Sequence, residues 1–153
     1  MKVDSVVFDL DGVLANNSGR QEYLTGEVQD WKEFYLRVGE DEVYQPMLNL
    51  LDMMFFDMDY EVVILTSRPT TNRSRTLAWL SEHEINFDEL IMRPKDNFDP
   101  EWKVKEIKKL KNDRMIHYIF EDSPYEIALF RALNWPIIPV LGTDYGREVI
   151  RIG

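Results

Sequence analysis

The stretch VVFDLDGVLA, residues 6–15, sets two aspartates, Asp9 and Asp11, directly behind an apolar run and in front of Gly12. Val6, Val7 and Phe8 suit a strand buried on both faces. Nothing in packing calls for carboxylates at the end of such a run, because acids are rarely buried unless paired. Residues two apart in extended chain point the same way, so both side chains are expected on one side of the strand end. Gly12 lets the backbone turn sharply at that point.

Outward from this stretch, short β-branched runs alternate with longer helical ones. Strands are predicted at 3–9, 61–66 (EVVILT), 89–92 (ELIM), 115–122 (MIHYIFED) and 136–140 (PIIPV). Helices are predicted at 46–57, at 71–84 and along FDPEWKVKEIKKLK, with Asp99 as N-cap and Pro100 in the first turn. SPYE, 123–126, has capping-box spacing and opens another helix. Prolines at both ends of the last strand place it at a sheet edge. This alternation predicts an α/β fold, an open parallel sheet with helices on both faces. Residues 15–45 interrupt it with a polar loop and a helix carrying Trp31, Phe34 and Tyr35. They read as a small cap insertion within a single domain over 1–153.

The bulk numbers narrow the function. No window approaches the roughly 18 apolar residues of a membrane helix. Met1 leads straight into a strand with no signal-like segment, so a cytoplasmic protein is the expectation. There is no cysteine, which removes disulfides, thiolate nucleophiles and cysteine zinc sites. A formal charge of -10 argues against an extended nucleic-acid-binding face, although a single nucleotide or strand end needs only a small local patch.

Open parallel sheets bind ligands beyond the carboxyl ends of their strands. Here those ends carry Asp9, then Thr66 and Ser67, then Glu121 and Asp122. Asp9, Asp11 and Asp122 would crowd three carboxylates together, and mutual repulsion calls for a cation. Oxygen ligands without Cys or His point to Mg2+.

These motifs have a family likeness. DLDGVLA resembles the first motif of the haloacid-dehalogenase-like superfamily, VVILTSR its second, and YIFEDSP its fourth. GR, DWKEF, LTSRP and MRPKDNFDPEWKVKEI resemble the phosphatase domain of phage-type polynucleotide kinases. The likeness implies a Mg2+-dependent phosphatase with Asp9 as nucleophile, forming an aspartyl-phosphate. It implies Asp11 as proton donor and then as base, and Lys105 as the charge-offsetting lysine, with Lys103 and Lys95 as alternatives. The metal would be held by Asp9, Asp122 and the backbone carbonyl of Asp11. Gly12, Thr66, Ser67 and Arg68 are the expected phosphate- and substrate-binding residues, and Glu121 a supporting one. Arg20 is expected to be solvated, and the aromatic residues of the insertion to be packing.

The implied substrate is a nucleic-acid 3′-phosphate end or a nucleotide. Alternatives are a nucleotidase acting on small nucleotides and a non-catalytic cation- or phosphate-binding, or phospho-accepting, module on the same fold. No G-x-x-x-x-G-K-[ST] occurs in the 153 residues, so no kinase domain is expected alongside.

Overall fold

The computed structural model describes residues 1–142. The last eleven residues of the expected single domain lie outside the described ones. The chain runs β1 (Val3–Phe8), β2 (Ala15–Asn16), α1 (Trp31–Leu36), β3 (Glu42–Val43), α2 (Gln45–Asp52), β4 (Glu61–Pro69) and α3 (Arg73–Glu82). It continues through β5 (Glu89–Arg93), α4 (Trp102–Leu110), β6 (Arg114–Glu121), α5 (Pro124–Ala132) and β7 (Ile137–Pro139). Five strands form one parallel sheet in the order β5-β4-β1-β6-β7. The α/β open parallel sheet is therefore as expected, with β7 at an edge.

Alternation along β1 divides the core into two layers. Val6 and Phe8 face one cluster that includes Leu51, Trp79 and Leu80 of α2 and α3. Val7 faces the other, with Trp102, Ile107 and Leu110 of α4 and Phe130 of α5. Both faces of the sheet are covered, which is why its strands read as continuous apolar runs.

The strand order also fixes where a ligand belongs. β1 is central, the chain winds to β4 and β5 on one side, then crosses to β6 and β7 on the other. The switch point lies beyond the carboxyl end of β1. Register sharpens the placement. Ser5 pairs with Ile116, but Val6 pairs with Tyr118, so one extra residue enters β6 near His117. This bulge advances β6 by one residue and sets Phe8 beside Phe120, carrying Glu121 level with Asp9. Without it Phe120 would stand next to Asp9.

Between β1 and α2 the chain leaves the sheet. Ala15–Asn16 and Glu42–Val43 pair as a two-stranded antiparallel ribbon, and α1 with two 3-10 turns fills the space between. Helix boundaries depart from the expected ones in two places. The helix expected over 46–57 ends at Asp52 and widens into a π-type turn, Met53–Asp57. The helix expected from Asp99 begins at Trp102 instead. Asp99 Oδ1 accepts the Glu101 N–H at 2.9 Å, so it caps a turn that precedes the helix. Ser123 caps the helix, its hydroxyl accepting the Glu126 N–H, but the reciprocal half of the expected capping box is not made, because the Ser123 N–H donates to Glu121 Oε1 at 3.2 Å. Among the described residues no helix is long and apolar enough to cross a membrane.

Candidate active site

Asp9 sits one residue beyond β1, its N–H bonded to the Phe120 carbonyl at 2.9 Å. Carboxylate oxygens of Asp9, Glu121 and Asp122 lie within 4.8 Å of one another, and all three residues are buried. The lysine that meets them is Lys103. Its Nζ donates to Asp9 Oδ1 at 3.0 Å and to Glu121 Oε2 at 2.8 Å. One lysine thus faces three carboxylates. Burial, then the charge of Asp9, pushes the Glu121 carboxyl up to about 8 despite Lys103. Burial alone would lower the Lys103 ammonium, but Asp9 and Glu121 outweigh it and raise it. A hard cation with oxygen ligands fits this donor set of three clustered, buried carboxylates.

Lys105 is not at this centre. It is largely exposed and bonds Asp99. Two residues along a helix rotate a side chain by about 200°, so Lys103 and Lys105 cannot share a face. Lys95 is exposed as well. Glu121, expected only to support the site, is a direct partner of the buried lysine.

Asp11 lines the same cavity as Asp9 but finds different partners. The Asp11 carboxylate meets two arginines. Arg68 approaches with Nε at 3.0 Å and Nη2 at 2.7 Å, and Arg20 with Nη2 at 2.8 Å. Arg20 in turn grips Asp41 with Nε at 2.8 Å and Nη2 at 2.6 Å, and its guanidinium lies 4.3 Å from the Phe34 ring centroid. Arg68 Nη1 donates to Thr76 Oγ1 at 3.1 Å. Burial would raise the Asp11 carboxyl, but Arg68 and Arg20 hold it well below the usual carboxylate range. Arg20, expected to be solvated, is buried.

A cavity of about 280 Å³ joins these groups, lined among others by Asp9, Asp11, Thr66, Ser67, Arg68 and Lys103. The buried Thr66 hydroxyl accepts the Arg68 N–H at 3.2 Å and retains its own proton to donate. Gly12 does not line this cavity. Its N–H donates to the Ala15 carbonyl at 2.9 Å and its φ is 79°, so it shapes the turn and leaves no amide for a phosphate. Gly142, which lies in none of the motifs, is so close to Asp122 that a Cβ there would collide with its carboxylate.

A family model of the polynucleotide kinase PNKP phosphatase domain matches residues 3–145. No curated protein sequence matches the chain. A chain of the Pnkp1/Rnl/Hen1 RNA repair complex is similar at 22% identity and a TM-score of 0.74, over 91% of this chain and 42% of that one. The class C acid phosphatase of Bacillus anthracis with tungstate bound is similar at 14% identity and TM-score 0.66, over 92% and 68%. A phosphatase from Clostridium acetobutylicum is similar at 17% identity and TM-score 0.61, over 94% and 87%. This chain spans less than half the length of the RNA-repair chain.

Proposed function

The chain belongs to the family of polynucleotide kinase phosphatase domains, a haloacid-dehalogenase-type phosphomonoesterase fold, and from that premise we propose that it removes 3′-phosphates from nucleic-acid ends with Mg2+. The observation that carries this reading is the Lys103-bridged carboxylate centre of Asp9, Glu121 and Asp122 at the strand ends.

Asp9 is the nucleophile. Its carboxylate oxygen attacks phosphorus, the bond to the leaving oxygen breaks, and an aspartyl-phosphate forms. Water then attacks phosphorus, regenerating Asp9 and releasing phosphate. Asp9 and Asp122, with the Asp11 carbonyl, would hold Mg2+, which when bound neutralises charge on the phosphoryl oxygens. Lys103 fixes the orientation of Asp9 and offsets its charge. Thr66 and Ser67 offer hydroxyl donors to the phosphate. Asp11 moves the proton: the leaving oxygen gains one in the first step and water loses one in the second. The arginine clamp favours its carboxylate form, which suits the second step; to give a proton in the first, Asp11 must release Arg68 and Arg20 and take one up beforehand. Residues 15–43 form the cap over the pocket, since Asn17, Trp31, Phe34 and Tyr35 line its wall.

A net charge of -10 favours a second reading, hydrolysis of free nucleotides. One panel decides between them: 3′-phosphorylated oligonucleotides, nucleoside 3′-monophosphates and nucleoside 5′-monophosphates, each with Mg2+ and with EDTA. The proposal expects Mg2+-dependent release from 3′-phosphates. A preference for 5′-monophosphates would replace it with the nucleotidase reading, and undiminished activity in EDTA would remove the metal.

A further inference from the structure

A second groove, of about 630 Å³, adjoins the catalytic cavity. Its volume falls within the roughly 300–1,000 Å³ usual for small-molecule sites. Every apolar side chain on its wall is aromatic or proline, with no Leu, Ile, Val or Met among them. Phe98 is 80% exposed, Tyr125 51% and Trp31 46%, so folding does not account for them. The walls are braced. The Arg93 guanidinium lies 5.3 Å from the Phe98 ring centroid, and its Nη1 donates to the Asn97 carbonyl at 3.0 Å. Trp31 and Tyr35 stack at 5.9 Å.

We propose that this groove holds the nucleobase of the nucleotide whose 3′-phosphate is removed, stacked on Phe98, Tyr125 and Trp31. The inference rests on the phosphatase reading above and names the part of the substrate next to the phosphate. Continuity carries it first. Ser67, Lys103 and Glu126 line both cavities, so a ligand with its phosphate at Asp9 runs past them into the groove. Surface chemistry carries it further. Flat π-faces without aliphatic side chains suit a base and tolerate any sequence. Charge completes the argument. Lys103 is engaged by Asp9 and Glu121, and Asp99 by Lys105, so Arg93 and Glu126 are left to offset each other and the slot is neutral. Such a slot attracts no phosphodiester track, so one terminal nucleotide is recognised, from a strand end or as a free 3′-nucleotide.

The test measures kcat and KM for wild type, Phe98→Ala and Tyr125→Ala on four substrates. These are an oligonucleotide with a base-bearing 3′-phosphate end, the same oligonucleotide with a 3′-terminal abasic sugar phosphate, a nucleoside 3′-monophosphate and glycerol 2-phosphate. Stacking predicts that wild type favours the base-bearing end by about tenfold in kcat/KM, mainly through KM. Each variant loses most of that preference, and both hydrolyse glycerol 2-phosphate as wild type does. The 3′-monophosphate following the oligonucleotide in its dependence on Phe98 supports the base as the recognised group. Equal rates on base-bearing and abasic ends would overturn the groove while leaving the 3′-phosphatase intact. Variants that keep the preference would do the same. Hydrolysis of glycerol 2-phosphate alone, with no nucleotide cleaved, would remove the substrate reading itself and the groove with it.

Discussion

Asp9 and Asp11 share one turn, yet their surroundings differ in kind. Asp9 lies with two further carboxylates and a single lysine. Asp11 lies in a closed ring of two arginines and Asp41, where every charge has a partner. In the first group one lysine bridges two acids, Asp9 and Glu121, with Asp122 close beside them; in the second, two arginines meet two aspartates. Crowded buried carboxylates repel one another, whereas a bidentate arginine–carboxylate pair is a satisfied unit. The difference teaches that a cation is called for on the β6 side of the pocket and not on the insertion side. In the proposed reaction it also separates roles: the Asp9 side takes the cation and the phosphoryl group, and the Asp11 side moves the proton.

The sharpest way to break this contrast is at Lys103. Replacing it with Met takes away the cation that bonds the buried Asp9 and Glu121 carboxylates. Unfolding free energy should fall by about 3 kcal/mol, read by urea denaturation, and kcat should fall roughly 10³-fold. Lys105→Met should stay within twofold of wild type on both measures. Equal losses at the two positions would erase the distinction between them.

Asp11→Asn probes the other side. A proton donor matters most when the leaving group is poor, so kcat on a 3′-phosphorylated oligonucleotide should drop about 10²-fold. An aryl phosphate, whose leaving group needs less help, should lose about tenfold less. Parallel losses on both substrates would assign Asp11 to structure alone. The smallest expected effect comes from Gly142→Ala. Its Cβ would displace the Asp122 carboxylate, and Mg2+ affinity by calorimetry should weaken roughly tenfold. Unchanged affinity would take Asp122 out of the cation site.

Much of this arrangement is legible in the sequence. Apolar runs that end in acids mark the strand ends, because a doubly covered parallel sheet leaves polar groups nowhere else to go. The lysine that meets the carboxylates is less legible, though the sequence carries a signal for it. Lys103, Ile107 and Leu110 are spaced i, i+4, i+7 and share the buried face of α4, while Lys105, Lys108 and Lys109 share the solvated one. A lysine inside an apolar stripe is the one with a buried partner. Arg20 left no such signal, since its partner Asp41 is 21 residues away and the ribbon that joins them depends on tertiary pairing. The clamp on Asp11 is hidden for the same reason, since Arg68 lies 57 residues away.

Trp31, Phe34 and Tyr35 divide along the same lines. Phe34 is packing, as expected, under the Arg20 guanidinium. Trp31 and Tyr35 instead face both cavities, which helical spacing alone did not distinguish.

The most direct test of Asp9 as the phosphoryl acceptor is the stereochemical course at phosphorus. A 3′-phosphorothioate ester made chiral with oxygen isotopes would be hydrolysed in isotopically labelled water. Two in-line displacements, first by Asp9 and then by water, predict retained configuration in the released thiophosphate. Inversion would mean that water attacks the ester directly, and would contradict the covalent route.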